Sequence, residues 1–321
     1  MTPKISVVMP VYRPRELQLE TSIESILNQA FTDFEFIIIC DKPRKEDIAV
    51  IKKYELEDQR VMCWYHSQRA GLVNSLNEGF TLAQGKYIAR MDSDDFSRPE
   101  RLQKQYDFME AHPEIGISGS YHSLKREGTD SVCEYPLDDD RIRCALMFDT
   151  AFAHPTVIIR NDFIRTLPGP YDINFIHAED YELWVRCAGK TKFANIPEVL
   201  VDIVNDGENA SDANKKILLE QTVRIRGIAA AKFGFPQQDK LSKEQWLEQV
   251  YATNEILQVF PRDYLNERMG KDWYNYCLTL ARNGMVAWQI FHASPLHDCI
   301  NLSVKRKIKF LGACLLRWEA K

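Results

Sequence analysis

The sequence predicts an α/β protein with a Rossmann-like, mostly parallel central sheet flanked by helices, followed by a helical C-terminal extension. Over the first two hundred residues, short apolar runs alternate with segments whose apolar residues recur at helical spacing, the pattern of β-α-β units. Beyond residue 215 the periodicity is helical throughout. A chain of 321 residues suits one large domain with an appendage, or two domains. We expect the boundary near residue 210, giving units over 1–210 and 211–321.

The predicted elements of the first half follow from apolar runs that end at Pro, Asp or a polar turn. Strands are predicted over 5–9, 34–40, 61–65 and 86–91, with helices over about 17–30, 44–57 and 72–83 between them. Ser97 and Glu100 have capping-box spacing, which predicts a helix over about 98–111.

In the second half the alternation is less regular, and one polar stretch interrupts it at about 205–214. Strands are predicted over 115–121, 154–160 and 195–204. Helices are predicted over 138–148, 179–188, 215–233, 242–258, 263–282 and 302–318.

Composition excludes several classes of protein. Gly and Pro number 14 each and aromatic residues make up 11%, which excludes collagen-like and disordered chains. The net charge of −5 predicts no nucleic-acid partner. Eight cysteines without a C-x-x-C pair predict reduced thiols. Because no apolar run reaches the ~18 residues of a membrane span and no signal peptide is evident, we expect a cytoplasmic protein.

The last twenty-one residues differ in charge from the rest, with six Lys and Arg against Glu319. Within them, the predicted helix over 302–318 carries one apolar stripe and a basic start. Two interpretations stay open. Such a helix lies on an anionic membrane surface, here the inner face of the cytoplasmic membrane, or it packs on the rest of the chain.

Polar residues follow three predicted strands, at the edge where ligands bind to parallel sheets. Asp41 follows the second strand, and Asp92-Ser93-Asp94-Asp95 follows the fourth. Three carboxylates in four residues repel one another, so this segment is either a divalent metal site or a solvated acidic turn. Arg69-Ala70-Gly71, after the third strand, offers a basic side chain and an open backbone for a diphosphate. The set suits a nucleoside diphosphate with its metal.

Glu179 and Asp180 begin a predicted helix that also carries Trp184. A carboxylate in this position is either a structural cap or a general base at the edge of a pocket. Trp184 is either a flat surface for a sugar ring or a core residue.

The ordered segments ISVVMPVY, FEFIIICD, AGLVNSLNEGF, GKYIARMDSDDFSRPERLQKQ, AHPTVIIR and AEDYELWVRC resemble family 2 of the inverting glycosyltransferases, which have the GT-A fold. The resemblance spans about residues 4–205 and is nearest to bacterial enzymes that extend cell-surface polysaccharides. It implies transfer of a sugar from a nucleoside diphosphate sugar, in the first place a UDP-hexose or UDP-N-acetylhexosamine. The implied acceptor is a hydroxyl of a glycan or of a glycan linked to a lipid diphosphate.

The resemblance also implies roles for the matching residues, with the donor half over about 1–95 and the acceptor half over 96–210. The nucleotide would be bound by Pro10, Tyr12, Asp41, Arg69, Gly71 and Asp92. Asp94, with Asp92, would hold Mn²⁺ or Mg²⁺. Asp180 would be the general base, with Glu179 beside it. His154, Trp184 and Arg186 would lie near the acceptor.

Two segments depart from the family pattern. Cys40-Asp41-Lys42-Pro43 stands where the family usually has Asp-Asp-Gly-Ser, which leaves Asp41 alone to recognise the base. The family's usual Arg or His is missing from 199–211, and Asn205, Asp206, Lys215 or Lys216 would have to replace it.

Three other classes compete with this interpretation. A nucleotidyltransferase would need a Gly-rich loop after the first strand, and PVYRPREL has no Gly. A dehydrogenase would need G-x-G-x-x-G after a strand, and no predicted strand has it. A catalytically inactive scaffold subunit on the same fold is the remaining alternative. The presence of Asp92, Asp94 and Asp180 favours the enzyme.

Overall fold

The computed structural model describes residues 2–126, 129–204, 214–237, 243–265, 267–269 and 271. Its contacts divide the chain into two compact units, Met1–Ile142 with Thr150–Thr222, and Arg143–Asp149 with Val223–Lys321. The predicted helix over 302–318 lies outside the described residues, and so do Asn205, Asp206 and most of the predicted helix over 263–282.

The first unit contains one nine-stranded sheet in the order β3-β2-β1-β4-β8-β6-β9-β5, with β7 paired to β6. The strands are β1 (Ile5–Val11), β2 (Phe34–Asp41), β3 (Val61–His66), β4 (Tyr87–Arg90), β5 (Phe96–Ser97), β6 (Ile115–Arg126), β7 (Thr129–Cys133), β8 (Ile158–Arg160) and β9 (Lys192–Val204). Strands β1 to β4 are parallel, as are β6 and β9, whereas β5, β7 and β8 pair antiparallel. The predicted mostly parallel sheet is confirmed.

The helices assigned among the described residues include one, Asn161–Ile164, that the sequence did not predict. They are α1 (Glu16–Leu27), α2 (Lys45–Glu57), α3 (Leu72–Leu82), α4 (Arg101–Ala111), α5 (Asp139–Ala145), α6 (Asn161–Ile164), α7 (Glu179–Cys187), α8 (Lys215–Phe233) and α9 (Lys243–Leu257). Every residue of β1 and β2 is buried, as expected for parallel strands covered on both faces. Among the described residues, no helix is both long and apolar enough to cross a membrane.

The predicted capping box at Ser97 is wrong. Ser97 lies in β5, opposite Val201 of β9, and its hydroxyl accepts a hydrogen bond from Gln29 Nε2 at 3.2 Å. Pro99 disfavours helical geometry at the residue before it, so the helix cannot begin at residue 98. Helix α4 begins at Arg101 instead, after Glu100.

The predicted strand over 154–160 is only partly correct, because its first residues form a single 3-10 turn, His154–Thr156, and the strand β8 begins at Ile158. Pro155 lacks the N–H that a strand ladder needs. Strands β5 and β7 were not predicted from the sequence. One has two residues, and the other is largely exposed and polar.

In the second unit, α9 is anchored by an indole that donates a hydrogen bond to a backbone carbonyl. Trp246 is buried, and its Nε1 lies 2.8 Å from the Pro236 oxygen. The Trp246 ring meets the Phe148 ring edge-on at 5.8 Å between centroids. Through these contacts, Trp246 and Phe148 form a small core in the described part of this unit.

Candidate active site

A cavity of about 780 Å³ lies where β1, β2, β3 and β4 end. Small-molecule sites measure roughly 300–1,000 Å³, so this one is large enough for a nucleotide sugar. Its lining includes all the residues predicted for the nucleotide and the metal: Pro10, Tyr12, Asp41, Arg69, Gly71, Asp92 and Asp94. The parallel arrangement of the strands brings these distant segments together.

Asp41 organises the turn after β3. Its two carboxylate oxygens accept hydrogen bonds from the backbone N–H of Ala70 at 2.6 Å and of Gly71 at 2.9 Å. Gly71 has a φ of +86° directly before α3, a conformation that side chains disfavour. Asp41 therefore shapes the backbone on which a ligand would rest, in addition to facing the cavity.

Tyr12 and two arginines form one wall of the cavity. The Arg69 guanidinium lies 4.5 Å from the centroid of the Tyr12 ring, and that of Arg13 lies 5.6 Å from it. The Tyr12 side chain is 41% exposed, and Arg13 has a left-handed φ of 49°. Sequence reasoning missed Arg13, although it directly follows the predicted Tyr12. The wall combines an aromatic face with two positive charges.

The acidic segment after β4 carries three carboxyl groups, in contrast to the basic wall. Oxygen atoms of Asp92, Asp94 and Asp95 lie within 4.8 Å of one another. Burial, with added repulsion from Asp92 and Asp94, raises the pKa of Asp95 well above its usual range. Carboxylate oxygens that repel one another in this way suit a divalent cation, which would relieve the repulsion. The residues therefore fit Mn²⁺ or Mg²⁺.

Two buried arginines lie behind this segment, and sequence reasoning missed both. Arg90, at the end of β4, is ion-paired with Asp92. Arg101 is fully buried, donates a hydrogen bond to the Arg90 carbonyl at 2.7 Å, and has its pKa lowered to about 9 by burial and by Arg90. In the sequence, the signal for Arg90 was a charged residue inside an apolar predicted strand. Only the fold shows that Arg90 pairs with Asp92.

Glu179 and Asp180 form the first turn of α7, as predicted. Glu179 is 5% exposed, and burial together with the adjacent Asp180 raises its pKa to about 8. Asp180 is half-buried, and its Oδ1 accepts a hydrogen bond from the Tyr181 N–H at 2.7 Å. Neither residue is among those that line the cavity. The two neighbouring carboxyl groups therefore differ in burial, and Glu179 keeps its proton near neutral pH.

The three residues predicted near the acceptor are not among those that line the cavity. His154 is buried and shares a hydrogen bond of 2.8 Å between Nε2 and the Tyr171 hydroxyl. Trp184 is fully buried, edge-on to His154, and presents no surface to a ligand, as the core interpretation requires. Arg186 bonds Glu182 and donates to two carbonyls of the preceding loop, Gly169 at 3.0 Å and Pro170 at 2.6 Å.

The basic residue missing from 199–211 has candidate replacements that the sequence did not indicate. Arg15 and His177 line the cavity together with Arg13 and Arg69. Lys216 lies on the exposed side of α8. The positive charge at the described site therefore comes from arginines after the first strand and in the turn after β3.

A family model described as "Glycosyl transferase family 2" matches residues 6–161. The O-antigen biosynthesis glycosyltransferase WbnJ of Escherichia coli is 37% identical over 204 residues, covering 62% of this chain and 78% of WbnJ. The chain belongs to glycosyl transferase family 2 and is a glycosyltransferase, which confirms the resemblance inferred from its motifs.

Solved structures share its fold. Residues 1–349 of Staphylococcus aureus TarS, solved with UDP, match with a TM-score of 0.56 and 16% identity, covering 88% of this chain and 92% of that one. The mannosyltransferase PcManGT of Pyrobaculum calidifontis, solved with GDP-Man and Mn²⁺, matches with a TM-score of 0.55 and 13% identity, covering 100% of this chain and 89% of that one. These matches show a GT-A-like fold.

Proposed function

We propose that the chain transfers a sugar from a nucleoside diphosphate sugar, in the first place a UDP-sugar, to a hydroxyl of a glycan in surface polysaccharide synthesis. The observation that carries the proposal is one cavity with an arginine–tyrosine wall and an acidic segment. A relative named for O-antigen biosynthesis supports the acceptor class. Structures of the same fold with UDP, and with GDP-Man and Mn²⁺, support the donor class and the metal.

The donor's nucleotide would bind against the cavity wall that Tyr12 forms with Arg13 and Arg69. The exposed Tyr12 ring offers an apolar face for a base, and the guanidinium groups of Arg13 and Arg69 offer charge-assisted hydrogen bonds to phosphate oxygens. The turn that Asp41 holds would position the backbone at Gly71 against the nucleotide. These groups bind and orient the donor before any bond changes.

The metal would be held by carboxylates of the acidic segment, Asp92 and Asp94, with Asp95 behind them. When bound, a divalent cation neutralises charge that develops on the departing diphosphate. Arg90 fixes Asp92 from behind through their ion pair. The protein therefore supplies both the ligands and their orientation.

The general base is Asp180. Near neutral pH, Glu179 keeps its proton because its pKa is about 8, so we assign proton transfer to the half-buried Asp180. The acceptor oxygen bonds to the anomeric carbon as the bond from that carbon to the diphosphate breaks, and Asp180 takes the hydroxyl proton. A single displacement of this kind inverts the anomeric carbon.

The test is an assay of transfer with UDP-, GDP- and dTDP-sugars, with glycan and lipid-diphosphate-linked glycan acceptors, in Mn²⁺ and in EDTA. We expect turnover with one donor that EDTA abolishes. Asp94→Ala is expected to lose turnover as well. Asp180→Asn is expected to lower kcat about 10²–10⁴-fold. The control is Asp107→Asn, an exposed carboxylate on α4 that bonds Gln103.

Two outcomes would contradict the proposal. Nucleotide binding without turnover on any acceptor would favour the inactive scaffold subunit. Failure to bind any nucleotide sugar would show that the cavity is not a donor site.

A further inference from the structure

Tyr171 lies at a junction between the cavity and helix α7. It is 3% exposed, in the loop before α7. Its backbone is clamped by Asn77 of α3, because Asn77 Nδ2 donates to the Tyr171 carbonyl and the Tyr171 N–H donates to Asn77 Oδ1, both at 2.9 Å. The first residues of α3 and the loop residues Ile173 and Ile176 line the cavity. The clamp therefore joins two parts of the cavity wall.

The Tyr171 side chain extends this connection towards α7. Its hydroxyl lies 2.8 Å from His154 Nε2, and His154 Nδ1 lies 3.8 Å from Glu179 Oε1, in the first turn of α7. The His154 ring is packed edge-on against Trp184, further along the same helix. Tyr171 and His154 thus form a continuous buried connection from α3 to the turn that carries Asp180.

The charge states of these groups fix the direction of the hydrogen bond. Burial raises the pKa of Tyr171 well above its usual range, so the hydroxyl keeps its proton and can donate. Burial, and secondly Arg90, lowers the pKa of His154 well below its usual range, so the ring is neutral. Tyr171 donating to Nε2 leaves the Nδ1–H of His154 facing Glu179.

We propose that Tyr171 is a positioning residue for glycosyl transfer, which through His154 sets the place of the first turn of α7, and so of Asp180, relative to the donor cavity. The inference rests on the proposed role of Asp180 as general base. A displacement of about 1 Å in a reacting group lowers rates by up to about 10²-fold, so one fixed hydroxyl suffices to affect the reaction.

The test compares two buried tyrosines that each lose only a hydroxyl. In Tyr171→Phe the hydrogen bond to His154 is removed. In the control, Tyr87→Phe, the hydroxyl removed lies at the start of β4, away from the cavity lining, where it donates to Glu110 at 2.9 Å and accepts from Arg160 at 3.2 Å. For both variants and the wild type we would measure kcat, KM for the donor, and the midpoint of urea unfolding.

We expect Tyr171→Phe to lower kcat about tenfold while KM for the donor stays within about twofold, and Tyr87→Phe to keep both within about twofold. His154→Gln replaces the other partner of the same hydrogen bond. It is also expected to lower kcat about tenfold while KM for the donor stays within about twofold. Combined with Asp180→Asn, Tyr171→Phe should cause no further loss, because it acts through Asp180.

The possible failures are distinguishable. If Asp180→Asn is inactive but Tyr171→Phe keeps wild-type kcat, the inference is wrong and the proposed function stands. A loss of kcat in both tyrosine variants, in proportion to lost stability, would reduce Tyr171 to a structural role. Wild-type turnover by Asp180→Asn would overturn the general base and, with it, the inference.

Discussion

At the scale of the residue, the carboxyl groups of this site differ in their partners. Asp41 accepts two backbone N–H bonds, and Asp92 pairs with Arg90. Burial, and secondly the adjacent Asp180, raise the pKa of Glu179 to about 8, and the neutral ring of His154 lies 3.8 Å away. Carboxyl groups of one site thus meet different surroundings, and burial keeps the proton on Glu179 near neutral pH.

The proton on Glu179 predicts how stability depends on pH. Between its ordinary pKa of 4.5 and about 8, the folded chain keeps a proton that the unfolded chain has lost. Stability from this group therefore falls as pH rises, by at most about 1.4 kcal/mol per pH unit, and levels off above the folded pKa. We expect Glu179→Gln to remove this loss. The measurement is the free energy of unfolding in urea at about pH 6.5 and about pH 8.

The comparison of pH slopes isolates Glu179. His154, whose pKa is lowered, has the opposite effect, because its contribution is lost as pH falls below the ordinary value of 6.5, and it is common to both proteins. Glu198→Gln alters an exposed carboxylate that pairs with Lys104 and should keep the wild-type slope. Equal slopes in Glu179→Gln and the wild type would show that Glu179 is ionised in the folded chain.

At the scale of the element, one glutamine replaces the capping box that the sequence predicted. Gln29, just after α1, donates to the carbonyl oxygens of Ser25 and Arg98, both at 2.8 Å, and to Ser97. Its Oε1 accepts the N–H of Leu102, in the first turn of α4, at 3.0 Å. A side chain distant in sequence thus accepts a backbone N–H at the start of α4, as a local capping residue would otherwise do.

Removal of this side chain should destabilise the first unit. Gln29→Ala would leave the Leu102 N–H without this side-chain partner and would remove hydrogen bonds that the Ser25, Ser97 and Arg98 carbonyls accept, which costs about 2 kcal/mol. Gln103→Ala, which removes an exposed amide bonded to Asp107, should change stability by less than about 0.5 kcal/mol. Urea unfolding measures both, and equal stability of the two variants would contradict the role assigned to Gln29.

At the scale of the whole molecule, the charge of the cavity lining differs from the net charge of the chain. The chain carries a net charge of −5, yet Arg13, Arg15, Arg69 and His177 line the cavity. Acidic and basic groups at separate strand ends suit a metal and a diphosphate together. The basic segment over 301–321 lies outside the described residues, and its two interpretations remain predictions.

The sequence predicted those parts of the molecule whose causes are local. Apolar runs identified β1 to β4, and strand ends placed Asp41 and Asp92 on one edge. The contacts of Arg90 and Tyr171 could not be predicted, because each depends on residues brought together by the tertiary fold. Likewise, nothing in the DSDD segment indicates that Asp95 is buried while its neighbours stay accessible.

The central claim is that the cavity is a metal-dependent site for a nucleoside diphosphate. Calorimetric titration of UDP, and of GDP for comparison, into the protein tests it in Mn²⁺, in EDTA, and with Asp94→Ala in Mn²⁺. We expect one nucleotide to bind in Mn²⁺, and to bind at least about tenfold more weakly in EDTA and in the variant, a difference of about 1.4 kcal/mol. Equal affinity with and without the metal, or no binding of either nucleotide, would contradict the claim.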